Sequence, residues 1–244
     1  MRTRGHIRDE RGYTLIEMIA ATAGGLVVAG AAMALLAASY HMLSNGADRV
    51  DANQQGRTAL LRIEQLMNSS CVAGVGVSPI VGGSSAGSGA PPSGANSVTF
   101  YASQSDSPAT PPNEYVLYLS GGGALNLDTY SNPTGSEPDW VFPTTHTTAT
   151  LVTHAANTPG TSALFNYYQY AASGQLNTTA DTLVGGYLPS ASASSVAAVT
   201  IQFEAFATDN NTSIGNGVNF SDQVVLRLTP VSGTPPTSTP EPCS

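Results

Sequence analysis

The N-terminal part of the chain carries one long apolar run that is almost free of charge. Between Tyr13 and Leu43, a run of 31 residues, the one charged side chain is Glu17. About 20 apolar residues in a helix suffice to cross a bilayer. The run therefore predicts a membrane-spanning helix over residues 13–43.

Beyond the run, polar residues separate the apolar ones. Spacings of three, four and seven in the second half of this stretch are typical of a helix that packs one side on a globular body. We therefore predict an amphipathic stem helix over residues 44–70, which Gly56 interrupts without ending. The apolar positions are Val50, Leu60, Leu61, Ile63, Leu66 and Met67.

The remainder of the chain reads as a β-rich body between two looser segments. Residues 71–97 are rich in Gly, Ser and Pro and predict a flexible loop with little to bury. Residues 98–230 contain short runs of β-branched and aromatic residues, which favour antiparallel strands, and Gly121 to Gly123 predicts a hairpin turn. Residues 231–244 form a Pro/Thr-rich tail. The predicted strands are Val98–Ala102, Tyr115–Leu119, Ala124–Leu127, Leu164–Tyr170, Val196–Ala207 and Gln223–Leu228.

These elements predict an α+β fold in which a long N-terminal helix packs on an antiparallel sheet.

The basic residues are concentrated at the N-terminus. The chain has no lysine, and its eight arginines include four in residues 1–11 and one, Arg227, beyond residue 70. The absence of lysine excludes a Walker-type phosphate loop and a Schiff-base lysine. The body is acidic and would repel a polyanion, so we expect no direct nucleic-acid binding. The arginines before the apolar run predict a cytoplasmic N-terminus and a translocated body.

The motifs that could carry catalysis or bind metal are weak. Gly83 to Gly87 matches G-x-S-x-G, but it lies inside a Gly/Ser repeat without the strand and helix that a nucleophile elbow needs. His146 and His154 follow far downstream as possible bases, but each stands isolated in Thr/Ala-rich sequence. Asp209 and Asp222 are a weak calcium candidate, and a polar loop is the simpler interpretation. We therefore predict neither an enzyme nor a metal or cofactor site.

The two cysteines, Cys71 and Cys243, lie in the predicted translocated part. Such a location favours a disulfide between them, which would fasten the tail to the base of the body. Free thiols or an intermolecular bond are the alternatives.

Glu17 needs an explanation of its own, because a carboxylate inside a membrane helix costs on the order of 2.5–3.5 kcal/mol. Either it lies near the interface and is hydrated, or it has a partner. Its surroundings are Arg11-Gly12-Tyr13-Thr14-Leu15-Ile16-Glu17, after an Arg-rich leader and before the apolar run. This arrangement resembles the processing signal of type IV pilins and of the pseudopilins of type II secretion. The family usually has Phe where this chain has Tyr13, which is a conservative departure.

The resemblance implies the fate of each part of the motif. A membrane prepilin peptidase and methyltransferase would cut after Gly12 and N-methylate Tyr13. Cleavage would remove four arginines and two acidic residues, and so would change the formal charge from −8 to −10. Glu17 would pair with the N-terminal amine of a neighbouring subunit. The implied partners are other pilins or pseudopilins, the inner-membrane assembly platform and the lipid bilayer.

The predicted function is that of a minor pilin or pseudopilin, similar to the J-type or W-type, with a pilin-like fold. The chain would reside in the inner membrane and then in a pilus or pseudopilus. A different class remains open, in which the helix only delivers an adhesin-like or DNA-uptake tip module. A third interpretation is a surface protein that stays anchored and is never processed.

Overall fold

The structure is a computed structural model that describes residues 13–71, 79–83, 88–103, 111–135, 140–207 and 217–226. The leader with Gly12, residues 84–87 of the G-x-S-x-G match, Asp209 and the tail with Cys243 lie outside the described residues. The chain divides into two units, and the division falls between Ala47 and Asp48.

Helix α1, Leu15–Asn68, runs without a break through both units. In the first unit every residue from Leu15 to Ala47 is exposed. In the second unit the helix buries one stripe of residues spaced by four and three, as expected for one helical face. The buried residues are Ala52, Gly56, Ala59, Ile63, Leu66 and Met67.

The second unit contains two antiparallel sheets. The first has the order β1-β2-β3-β4, from β1 (Ser97–Ala102), β2 (Asn113–Leu119), β3 (Leu125–Tyr130) and β4 (Thr147–Val152). The turn at Gly121 and Gly122 joins β2 to β3, which confirms the predicted hairpin.

The second sheet is built around its longest strand, β7 (Val196–Ala205). One edge of β7 pairs with β8 (Val218–Val225), and the other pairs with β6 (Phe165–Gln169) and the two-residue β5 (Ala155–Ala156). A four-residue helix, α2 (Ser190–Ala193), leads into β7. The structure is therefore α+β with antiparallel sheets, in agreement with the predicted fold class.

One main core joins the buried stripe of α1 to both sheets. Its largest fully buried side chains include Phe100, Phe165, Tyr167 and Phe203. Tyr167 keeps its hydroxyl satisfied there by donating to the carbonyl oxygens of Gly94 and Ser97, both at 2.9 Å. A second, smaller cluster covers the opposite face of the first sheet. It consists of Ala90, Tyr101, Val116, Tyr130 and Phe142.

Several sequence predictions need correction. The strands β4 and β5 and helix α2 were missed, because the Thr/Ala-rich stretch that contains the two strands has no alternation of apolar and polar residues. The predicted strand Gln223–Leu228 begins five residues late, since β8 starts at Val218. The body contains two sheets where one was expected.

The expectation that residues 71–97 bury little is wrong for the parts described. Ile80 is 1% exposed and Ala90 3%, and Ile80 forms a bridge with Phe100 of β1. The Gly/Ser/Pro composition suggested a loop without a core, but Ile80 and Ala90 each belong to a buried cluster that includes residues of the first sheet.

Candidate assembly site in the first turn of the long helix

The first turn of α1 forms a reciprocal set of hydrogen bonds between Thr14 and Glu17. The backbone N–H and the hydroxyl of Thr14 both donate to Glu17 Oε2 at 3.0 Å. The backbone N–H of Glu17 donates to Thr14 Oγ1 at 3.4 Å. This is a capping box, in which an N-cap threonine and the glutamate three residues later satisfy each other's backbone N–H groups.

The capping box gives Glu17 a role that the sequence interpretation did not include. The T-x-x-E spacing that signals it was present in the sequence, but the same residues were assigned to the processing motif alone. A carboxylate in the first turn is also favoured by the helix dipole. In the isolated chain Glu17 thus has partners on its own helix, while its exposure leaves it open to further contacts.

The helix beyond Glu17 presents apolar side chains on all sides. Leu26, Val27 and Val28 are each 70–73% exposed, and so are Met33 and Leu35 at 72%. Within the described residues this is one helix long and apolar enough to cross a membrane. Gly24, Gly25 and Gly30 lie within this helix and do not interrupt it. A Cβ added at any of them would meet nothing within 4 Å.

The stem half of α1 packs on the body by one side, as predicted, but through some of the predicted apolar residues together with small ones. Ile63, Leu66 and Met67 are buried as expected, but Leu61 is 67% exposed and Val50 57%. Ala52, Gly56 and Ala59 complete the buried stripe in their place. At Gly56 the helix lies close to β8, because an added Cβ would overlap the ring of Phe220.

The remaining candidate residues do not come together as a site. Asp222 lies on β8 opposite Ile201, and Asp209 lies outside the described residues. No group of three or more potential metal-ligating side chains occurs in the described part of the chain. Cys71 is in a disulfide. Its predicted pairing with Cys243, which lies outside the described residues, stays a prediction.

Two polar features of the body were not anticipated from sequence. His146 Nε2 lies 3.5 Å from Asp128 Oδ2, and Asp128 Oδ1 also accepts a hydrogen bond from Thr148 at 2.5 Å. The strand β4 that brings them together was not predicted. Glu114 is fully buried in β2, and neither of its carboxyl oxygens has a hydrogen-bond partner among the described residues.

The surroundings of Glu114 disfavour its charged form. Burial raises the pKa of Glu114, and a contact with the Ser88 hydroxyl opposes the shift, although its geometry falls short of a hydrogen bond. Tyr101, the cross-strand neighbour of Glu114, has its pKa raised first by burial and then by the negative charge of Glu114. Glu114 is thus buried beside its cross-strand neighbours Tyr101 and Tyr130, which both belong to the smaller cluster.

The geometry thus defines an α+β protein with an N-terminal helix of membrane-spanning length and composition, joined to a body of two antiparallel sheets. Comparisons of the chain with protein-family models, with curated proteins and with solved structures found no match.

Proposed function

We propose that this chain is a minor pilin or pseudopilin, a structural subunit of a type IV pilus or of a type II secretion-like filament. Its precursor is inserted in the inner membrane with the body outside, is cut after Gly12, and enters the filament through α1. The observation that carries the proposal is the exposed apolar half of α1. It begins two residues after the Gly12–Tyr13 junction and has Glu17 in its first turn.

The two halves of α1 support this assignment in different ways. An apolar helix that exposes all its faces requires an apolar environment, which a bilayer or a bundle of like helices supplies. The second half packs on the acidic body by its own stripe of buried residues, so the body is attached to the helix from Asp48 onward. This division suits a subunit that assembles through the first half and displays the body.

Glu17 is the assembly residue in this proposal. Its carboxylate leaves the Thr14 capping box, or shares it, and pairs with the N-terminal amine of a neighbouring subunit. An ion pair in an apolar setting stabilises most when both charges also keep hydrogen bonds, and Thr14 supplies these for Glu17. Such a pair would set the axial register between subunits.

Processing and assembly are tested separately. Mass spectrometry of the chain expressed with its secretion system is expected to find an N-methylated N-terminus at Tyr13. Gly12→Val should leave the precursor uncut, because a Cβ obstructs the extended backbone that the peptidase must bind. A mature chain that still carries residues 1–12 would contradict the proposal.

Glu17→Ala should leave membrane insertion unchanged and reduce incorporation into sheared filaments by at least about tenfold, as expected if about 1.4 kcal/mol or more is lost per contact. Glu64→Ala is the matched control, because Glu64 is an exposed glutamate on the stem half of the same helix. Normal incorporation of the Glu17 variant would exclude the assigned role.

A further inference from the structure

Two tyrosines lie in or immediately before α1, and the distance between them is informative. In residues 13–68 the aromatic rings of Tyr or Phe type are Tyr13, immediately before the helix, and Tyr40. Both are exposed, at 84% and 66%. They stand 27 residues apart, which is about 40 Å along a helix.

That distance matches the thickness of a bilayer together with its headgroup regions, about 40–45 Å. Tyrosine is enriched at both membrane interfaces, where the ring lies among the headgroups and the hydroxyl reaches water. The residues around Tyr40 agree with such a boundary. His41, Ser44 and Asn45 follow it, and the first charged residue after Glu17 is Asp48.

We propose that Tyr40 is the anchor of the helix at the extracytoplasmic interface, with Tyr13 as its counterpart at the cytoplasmic one. The proposal rests on the membrane-inserted stage of the proposed function. Before assembly, the exposed apolar surface of the helix then contacts the lipid bilayer, and the two tyrosines set the depth of the helix in it.

This depth has a consequence for Glu17. Glu17 lies 23 residues before Tyr40, about 35 Å along the helix, whereas the hydrocarbon core is about 30 Å thick. With Tyr13 and Tyr40 at the two interfaces, Glu17 lies four residues, about 6 Å, inward of Tyr13, and therefore at the edge of the hydrocarbon core. There the Thr14 capping box and water satisfy its carboxylate, and it needs no neighbouring subunit until the helix leaves the membrane.

The experiment measures the depth of three positions in the full-length chain. Trp140 is the only tryptophan, so the Trp140→Phe variant provides a background for single reporters. Tyr13→Trp, Leu26→Trp and Tyr40→Trp are each reconstituted in phosphatidylcholine vesicles that contain lipids brominated at a shallow or at a deep position of the acyl chain. Leu26 is the control, because it lies midway between the two tyrosines.

Positions 13 and 40 should be quenched most by the shallow bromines, and position 26 by the deep ones. Deep quenching at position 40 together with deep quenching at position 26 would overturn the anchor and leave the proposed membrane insertion intact. Absence of quenching at all three positions would overturn both.

A second variant tests the anchor without a tryptophan at position 40. With the reporter at position 26, Tyr40→Leu should shift the quenching pattern towards shallower bromines, because the leucine side chain at position 40 favours the hydrocarbon and the helix moves towards the cytoplasmic side. Met42→Leu, at an exposed position two residues on, should cause no shift. An unchanged pattern for Tyr40→Leu would contradict the proposal.

Discussion

The two halves of α1 share one continuous helix and differ in what surrounds their side chains. From Leu15 to Ala47 all residues are exposed, although most are apolar. From Asp48 onward a single stripe is buried, and half of it consists of Ala52, Gly56 and Ala59. In the first half the environment has to come from outside the chain, while in the second the body supplies it. A helix thus needs no change of backbone structure to change its surroundings, only a change in side-chain pattern.

The same contrast appears in the two carboxylates, Glu17 and Glu114. The carboxylate of Glu17 is exposed in an apolar stretch and accepts two hydrogen bonds from Thr14. The carboxyl group of Glu114 is buried in the body and has no hydrogen-bond partner in the part of the chain that the structure describes. Glu17 is unexpected in its apolar surroundings, yet its carboxylate has hydrogen-bond donors on a neighbouring residue. Glu114 lies in an ordinary strand, and its carboxyl group has no such donors among the described residues.

The largest effect should separate Leu66 from Leu61 on the stem half. Leu66 is fully buried and Leu61 is 67% exposed. Leu66→Ala should lower the free energy of unfolding of the body by about 2–5 kcal/mol, through lost burial and the cavity left behind. Leu61→Ala should change it by less than about 0.5 kcal/mol. Denaturant unfolding followed by Trp140 fluorescence measures both, and equal effects would show that the buried stripe is assigned to the wrong residues.

A smaller effect should distinguish the glycines of the two halves. Gly56→Ala places a methyl group against the Phe220 ring, and such overpacking costs about 1–3 kcal/mol, offset by at most about 1 kcal/mol of helix propensity. Gly46→Ala is the control, since its Cβ would meet nothing within 4 Å. It should not destabilise the body.

The Phe220→Leu variant makes the glycine comparison sharper. If Gly56 is required because of the Phe220 ring, the cost of Gly56→Ala should fall in the Phe220→Leu background, giving a coupling energy of about 0.5 kcal/mol or more. Strict additivity of the two substitutions would mean that the close approach at Gly56 does not limit the packing of β8 on α1.

How far the sequence predicted these features depends on the length of the pattern that encodes them. The apolar run and the β2–β3 hairpin at Gly121 are local signals, and both were predicted. The buried stripe at Ala52, Gly56 and Ala59 was not, because small residues carry little hydrophobic signal and because Gly56 packs against Phe220 of β8, more than 150 residues later. The same holds for Glu114, whose isolation depends on the aromatic cluster that covers it, and for His146, which meets Asp128 through the unpredicted β4.

The remaining expected effect concerns Glu114 and depends on pH. Burial raises the folded-state pKa of Glu114 above its ordinary value of 4.5, so the protonated form is favoured in the folded body. The contribution of Glu114 to stability is therefore fully present below about pH 4.5 and is lost as the pH rises through the folded-state value, by about 1.4 kcal/mol for each unit between the two. Glu114→Gln keeps the shape of the protonated group and should remove this loss, so the variant should gain on the parent chain as the pH rises from 4 to 8.

The melting temperature of the body across this pH range tests that expectation. Glu64→Gln removes the same charge from an exposed position of the stem and should run parallel to the parent chain at all pH values. If the Glu114→Gln curve also runs parallel to the parent, the Glu114 carboxylate must gain a partner when it ionises. The contrast with Glu17 would then fail, because both carboxylates would be satisfied in the folded chain. If the curves diverge with rising pH, the folded body contains a carboxyl group without a partner, whereas the carboxylate of Glu17 on the exposed half of α1 is satisfied by Thr14.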